Sequence, residues 1–77
     1  MPKSDSFRVT PKAFGQNVYR LRMAKKLTQA VLADRASISR RHLQMIEAGR
    51  VNPTIAMVGK LGTIFRCSWD DLLGPLR

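Results

Sequence analysis

The chain has 77 residues, 44% of them hydrophobic, and a formal net charge of +9 from 14 Lys plus Arg against 5 Asp plus Glu. That length allows one domain, which buries only about 60% of its unfolded surface, so a second copy or a partner would help its stability. The apolar content excludes a disordered tail, no apolar run approaches the roughly 18 residues of a membrane span, and the charge implies a polyanionic partner without saying which.

The first stretch, MPKSDSFRVT, carries Lys3, Asp5 and Arg8 with no apolar run behind them. Neither a secretory signal nor a membrane anchor is expected, and the expected address is the cytoplasm. Residues 1–9 read as a flexible arm. In TPKAFGQNVYRLRMAKKL, Thr10 is placed to cap and Pro11 suits a first helical position, while Phe14, Val18 and Leu21 follow at helical spacing. This predicts a helix from about Pro11 to Lys26. Thr28 opens a second helix with Leu32, Ala33 and Ala36 on one side, and Ser39 caps a third whose inward residues are Leu43 and Ile46. Only ASIS separates the two.

Gly49 marks the end of the third helix, and Asn52-Pro53 before Thr54 is a stop followed by a start. The fourth helix then holds Ile55, Val58, Leu61 and Phe65. In SWDD, Ser68 and Asp71 have capping-box spacing ahead of Leu72 and Leu73, which predicts a short fifth helix. Strand signals do not recur, so the expectation is an all-α, five-helix domain over residues 10–77. Gly59 and Gly62 are anomalies, because a glycine inside a helix costs about 1 kcal/mol relative to alanine. Close approach of another helix would offset that cost at Gly62; nothing in the sequence accounts for Gly59.

A single cysteine, Cys67, cannot form an internal disulfide, and together with a single histidine, His42, it does not make a zinc ligand cluster. No metal or cofactor is expected. His42 has no nucleophile beside it, and Asp70 and Asp71 at a helix start read as capping and dipole compensation. No catalytic constellation can be assembled, so the chain is not expected to be an enzyme.

Around the ASIS turn, Leu32, Ala36, Leu43 and Ile46 face one another, Ile38 plugs the turn, and Ala33 sits where a larger side chain would push two helices apart. That is the helix-turn-helix pattern. From Arg22 to Leu73, about two thirds of the chain, the sequence resembles the phage-repressor/Cro type of helix-turn-helix regulator, often called the XRE family. The resemblance rests on Arg22, LTQAVLA at 27–33, SISRRHLQMIEAGR at 37–50, NPTIAMVGKL at 52–61 and SWDDLL at 68–73. In size and layout the chain is similar to restriction-modification controller proteins, phage repressors and helix-turn-helix antitoxins. The resemblance implies a compact phage-repressor-like domain and a structural ion pair between Arg22 and Glu47.

With 100° per residue and Leu43 and Ile46 turned inward, Arg41, Gln44, Met45 and Ala48 point outward and Arg40 lies at the leading edge. Arg40, Arg41, Gln44 and Met45 are therefore the candidate base readers, since arginine matches guanine, glutamine matches adenine and methionine suits a thymine methyl. For Met45 a plain packing role is as good a reading. The resemblance further implies phosphate contacts from Gln29, Arg50 and Thr54, with Asn52 a candidate beside them, although Thr54 is needed as a cap in any case. Lys3 and Arg8 are candidates for a minor-groove arm, against the plainer reading of a disordered tail.

Two positions depart from the family pattern. Ser37 stands where the turn usually carries glycine, and Ala30 stands where an acidic residue often follows TQ. The expected function is a transcriptional regulator that binds double-stranded DNA as a homodimer on a near-palindromic operator, with Trp69 and Phe65 as candidate interface residues, of which Trp69 is the better and Phe65 reads more readily as core. The alternatives are an antitoxin whose main partner is a protein toxin, and a non-specific nucleic-acid-binding protein; genomic neighbourhood and salt dependence separate them.

Overall fold

The computed structural model describes residues 10–74, so the arm expected over residues 1–9, Lys3 and Arg8 included, lies outside the described residues. Five helices follow in order: α1 (Pro11–Ala24), α2 (Gln29–Arg35), α3 (Arg40–Glu47), α4 (Ile55–Phe65) and α5 (Trp69–Leu73). No strand occurs among the described residues. Each helix starts at a hydroxyl cap: Thr10, Thr28, Ser39, Thr54 and Ser68 accept from the amides of Ala13, Val31, His42, Met57 and Asp71 at 2.9–3.2 Å. Asp71 completes the capping box by accepting from the Ser68 amide at 3.0 Å.

The first four helices also end alike. After α1, Leu27 N–H reaches Arg22 O at 3.1 Å and Lys26 N–H reaches Met23 O at 3.0 Å. The same double bond closes α2 through Ile38 and Ser37, α3 through Arg50 and Gly49, and α4 through Cys67 and Arg66. This Schellman geometry needs a left-handed residue, found at Lys26 (φ 56), Ser37 (φ 56), Gly49 (φ 79) and Arg66 (φ 54). Only one of the four is glycine. The turn at Lys26 also explains why α1 stops at Ala24 and not at Lys26: the chain has already left the helix to form the cap.

The core gathers Phe14 and Val18 of α1, Leu32, Ala33 and Ala36 from α2 and its cap, Leu43 and Ile46 of α3, Val58, Leu61 and Phe65 of α4, and Leu72 of α5. Ile38, Leu27 and Val51, just beyond the helix ends, pack against it. Gly15 allows α1 to rest on the end of α3: a methyl there would overlap the Ile46 carbonyl oxygen and sit 3.1 Å from that of Glu47. Asn17, 0% exposed, ties α1 to the last turn of the chain, its Nδ2 donating to Leu72 O at 2.8 Å and Gly74 O at 3.0 Å. Those carbonyls are at the end of α5 and have no helical partner of their own.

One choice between alternatives is decided, and one expectation changes. Phe65 is 1% exposed in the single chain because it continues the Val58–Leu61 stripe of α4 inward, so it offers no surface to a second copy. Gly62 does not owe its glycine to close packing. A methyl there would meet Cys67 O at 3.5 Å and Trp69 Cδ1 at 3.8 Å, and one at Gly59 would meet Trp69 Cζ2 at 3.8 Å. These are ordinary contacts. The indole of Trp69 lies along this side of α4 while remaining 47% exposed.

Ser37 holds its left-handed conformation with a Cβ that glycine would not carry. Ser37→Gly is expected to raise stability by up to about 1 kcal/mol. Urea unfolding midpoints check this, and a lowered midpoint would show that the serine contributes more than its backbone.

Candidate nucleic-acid interface

The outward face of α3 follows from the way the helix is held. Leu43 and Ile46 are 0% exposed and fix the inner side of the helix. Arg40, Arg41, Gln44, Met45 and Ala48 are all exposed on the remainder. Met45 retains 39% of its surface. His42 is half-buried at the edge.

Behind that face, Glu47 closes α3 on a buried ion pair. Arg22 Nε lies 2.7 Å from Glu47 Oε2 and Arg22 Nη2 lies 3.0 Å from Oε1, a bidentate fork. The third guanidinium nitrogen, Nη1, donates to Leu27 O at 3.0 Å, and the Tyr19 ring covers the guanidinium at 5.4 Å. The hydrogen bond to Glu47 is the main cause holding the Arg22 pKa above its ordinary value, against the opposing effect of burial. The arginine is therefore locked in its charged form.

Gln29 joins this pair to the outward face of α3. Its Nε2 donates to Glu47 Oε1 at 3.0 Å, and its Oε1 receives a long 3.5 Å approach from Gln44 Nε2. The side chain that sequence reading gave to a phosphate is thus engaged inside the protein. It links the start of α2 to the middle of α3. Arg50 and Asn52 are exposed in the α3–α4 connection. Thr54 Oγ1 accepts from Met57 N–H at 3.1 Å, so its oxygen already serves α4.

Lys60 was not legible in advance. Its Nζ reaches from α4 to Ala36 O at 2.9 Å, where a cation meets the negative end of α2 and pins the turn between α2 and α3. No sequence signal marks it, because a lysine on an exposed helix side is ordinary. Asn17 had a signal: a polar residue one position from Val18 in an otherwise apolar stripe.

Arg40 does not lie with the other three candidates alone. Together with Lys26 it lines an open groove bounded by Thr28, Gln29 and Ala30, above the Arg22 guanidinium. The described acidic residues are elsewhere or neutralised: Glu47 is in the ion pair, Asp34 is in the last part of α2, and Asp70 and Asp71 open α5. Among the described residues no group of three His, Cys, Asp or Glu is gathered as a metal site would require, and no helix is long and apolar enough to cross a membrane. Burial, reinforced by nearby Asp71, pushes the Cys67 thiol up, which leaves it protonated and poorly nucleophilic.

A family model described as helix-turn-helix matches residues 18–72. An uncharacterized HTH-type transcriptional regulator of Sinorhizobium fredii, y4dJ, is 36% identical over 64 residues, which covers 83% of each chain. The restriction-modification controller protein C.AhdI from Aeromonas hydrophila superposes with a TM-score of 0.74 at 31% identity, over 80% of this chain and 94% of that one. The N-terminal DNA-binding domain of SinR from Bacillus subtilis superposes with a TM-score of 0.73 at 27% identity, over 80% and 91% respectively.

The burial of the ion pair gives a measurable consequence. Glu47→Ala strands the Arg22 guanidinium and is expected to cost about 3–5 kcal/mol. The double variant Arg22→Met with Glu47→Leu strands no charge and is expected to keep most of the stability while releasing Gln29. Denaturant titration reads the first effect, and the side-chain amide signals of Gln29 and Gln44 in NMR spectra read the second.

Proposed function

The chain belongs to the helix-turn-helix family of DNA-binding transcriptional regulators, and we propose that it acts as a homodimer reading a near-palindromic operator with α3. The observation that carries this reading is the outward face of Arg41, Gln44 and Met45 on a helix whose opposite side is wholly buried. Arginine and glutamine there have the donors and acceptors that guanine and adenine edges match, and the methionine offers an apolar surface to thymine. Arg40, at the leading edge, reaches both toward the bases and toward the backbone.

Arg50 and Asn52 in the α3–α4 connection and Thr54 at the start of α4 take the phosphate-positioning role, which sets register without reading sequence. Gln29 contributes by orienting Gln44 as well as by standing at the start of α2. Dimerisation falls to α5 and the adjoining side of α4, where Trp69 exposes nearly half of its surface. A two-fold dimer presents both reading helices to one face of the duplex, so half-sites are expected about one helical turn apart, roughly 34 Å.

Selection of bound sequences from random duplex DNA at physiological salt tests the reading; a pool with no enriched motif defeats it. On the selected site, Arg41→Ala or Gln44→Ala is expected to cost about 1–3 kcal/mol while affecting scrambled DNA less. Arg50→Ala is expected to weaken all duplexes evenly and to flatten the salt dependence by about one unit. Equal loss on cognate and scrambled DNA for Arg41→Ala would remove α3 as the reader.

A further inference from the structure

Lys26 occupies a conformation that lysine tolerates poorly. Its φ of 56 lies in the left-handed region that favours glycine, and both hydrogen bonds of its turn are made by backbone atoms that glycine also possesses. The side chain is exposed and makes no ion pair or hydrogen bond among the described residues. Nothing in the fold therefore calls for a lysine at this position. The turn itself uses only backbone atoms, which leaves the lysine side chain at this corner available for a contact outside the fold.

The surroundings indicate which use. Lys26 lines the open groove between the α1–α2 corner and the first residue of α3, opposite Arg40. A third cation, Arg22, lies at the base of the groove, but Glu47 neutralises it through the bidentate pair. Among the described residues Arg40 and Lys26 have no such counter-charge. Among the described residues no acidic one lines the groove, and Ala30 stands on its wall where a carboxylate would have cancelled one of the two. The result is a concavity with two uncompensated positive charges, open to solvent and next to the exposed face of α3. An anion with several acceptor oxygens satisfies both donors at once.

We propose that Lys26, acting with Arg40, grips one phosphodiester of the duplex backbone beside the half-site read by α3. The inference rests on the operator-binding reading given above and adds a contact that neither the helix-turn-helix pattern nor the sequence spacing assigns. The left-handed corner between α1 and α2 places Lys26 on the same groove as Arg40. The contact positions the domain and carries no base specificity.

The test exploits the fact that backbone relief and charge removal act in opposite directions. In the full chain, Lys26→Gly is expected to raise the melting temperature by a few degrees while weakening binding to cognate and scrambled duplexes alike. With one phosphate contact fewer, log K against log salt flattens by about 0.9, so a fourfold rise in salt costs about 3.5-fold less affinity than it costs the unsubstituted chain. Lys26→Gln, which keeps the Cβ, is expected to show the same binding loss without the thermal gain, and Lys26→Arg to restore the salt slope. A Lys26→Gly variant that melts higher but binds with unchanged affinity and slope overturns the proposal, since the lysine would then be a passive passenger. If the unsubstituted chain selects a motif and every Lys26 variant matches it, only this inference falls; if the unsubstituted chain binds no duplex, the operator reading falls with it.

Discussion

The guanidinium of Arg22 and the carboxylate of Glu47 are the two ends of a bond on which three helices depend. Arg22 comes from α1, Glu47 from the last turn of α3, and the carboxylate also receives the amide of Gln29 at the start of α2. Both side chains are more than nine-tenths buried, so the pair forfeits hydration that its mutual attraction must offset. The geometry provides the offset through two bonds to Glu47, a third to the Leu27 carbonyl and the Tyr19 ring over the guanidinium. Among the described residues no buried side-chain nitrogen or oxygen lacks a partner. Such a pair adds less to stability than its strength in isolation implies; what it supplies is a fixed rotation and depth for α3.

That constraint matters because the helices are short. α2 and α3 have 7 and 8 residues, lengths at which a helix in water is marginal by itself. Hydroxyl caps satisfy amides at the start of each, and left-handed turns satisfy carbonyls at the end of the first four. The chain accepts left-handed strain at three non-glycine residues to close these helices. Lys60 strengthens one such turn from outside by donating to Ala36 O. The angle between α2 and α3 is thus set by their caps, by the Ile38 plug and by a cation from α4 together.

Charge is distributed as asymmetrically as polarity. The four described acidic residues are paired or capping near helix ends, or stand at the far part of α2, and none lies on the exposed side of α3. Among the described residues Arg40, Arg41, Arg50 and Lys26 are exposed and make no ion pair around that side. A field of one sign over a face of this kind concentrates a polyanion before any specific contact forms.

The sequence by itself determined the number, order and type of the helices. Apolar spacing at 3.6 residues and a Ser or Thr before each helix are local signals, so Thr10, Thr28, Ser39, Thr54 and Ser68 could be read one after another without knowledge of the fold. The inward residues Leu32, Ala36, Leu43 and Ile46 were legible for the same reason. So was the exposure of Arg41 and Gln44, since a helix with one buried stripe leaves the opposite side exposed. The Arg22–Glu47 pair was available only by resemblance, because no periodicity joins residues 25 positions apart. What only the tertiary structure decided is the set of contacts between helices: the Asn17 tie to α5, the grip of Lys60 on Ala36, the placement of Gln29 between Glu47 and Gln44, and the meeting of Lys26 with Arg40 across a groove. Local sequence fixes where a helix begins and which side of it is apolar, whereas the partner of a polar side chain depends on the rotation and spacing of another helix, which the packed core alone sets.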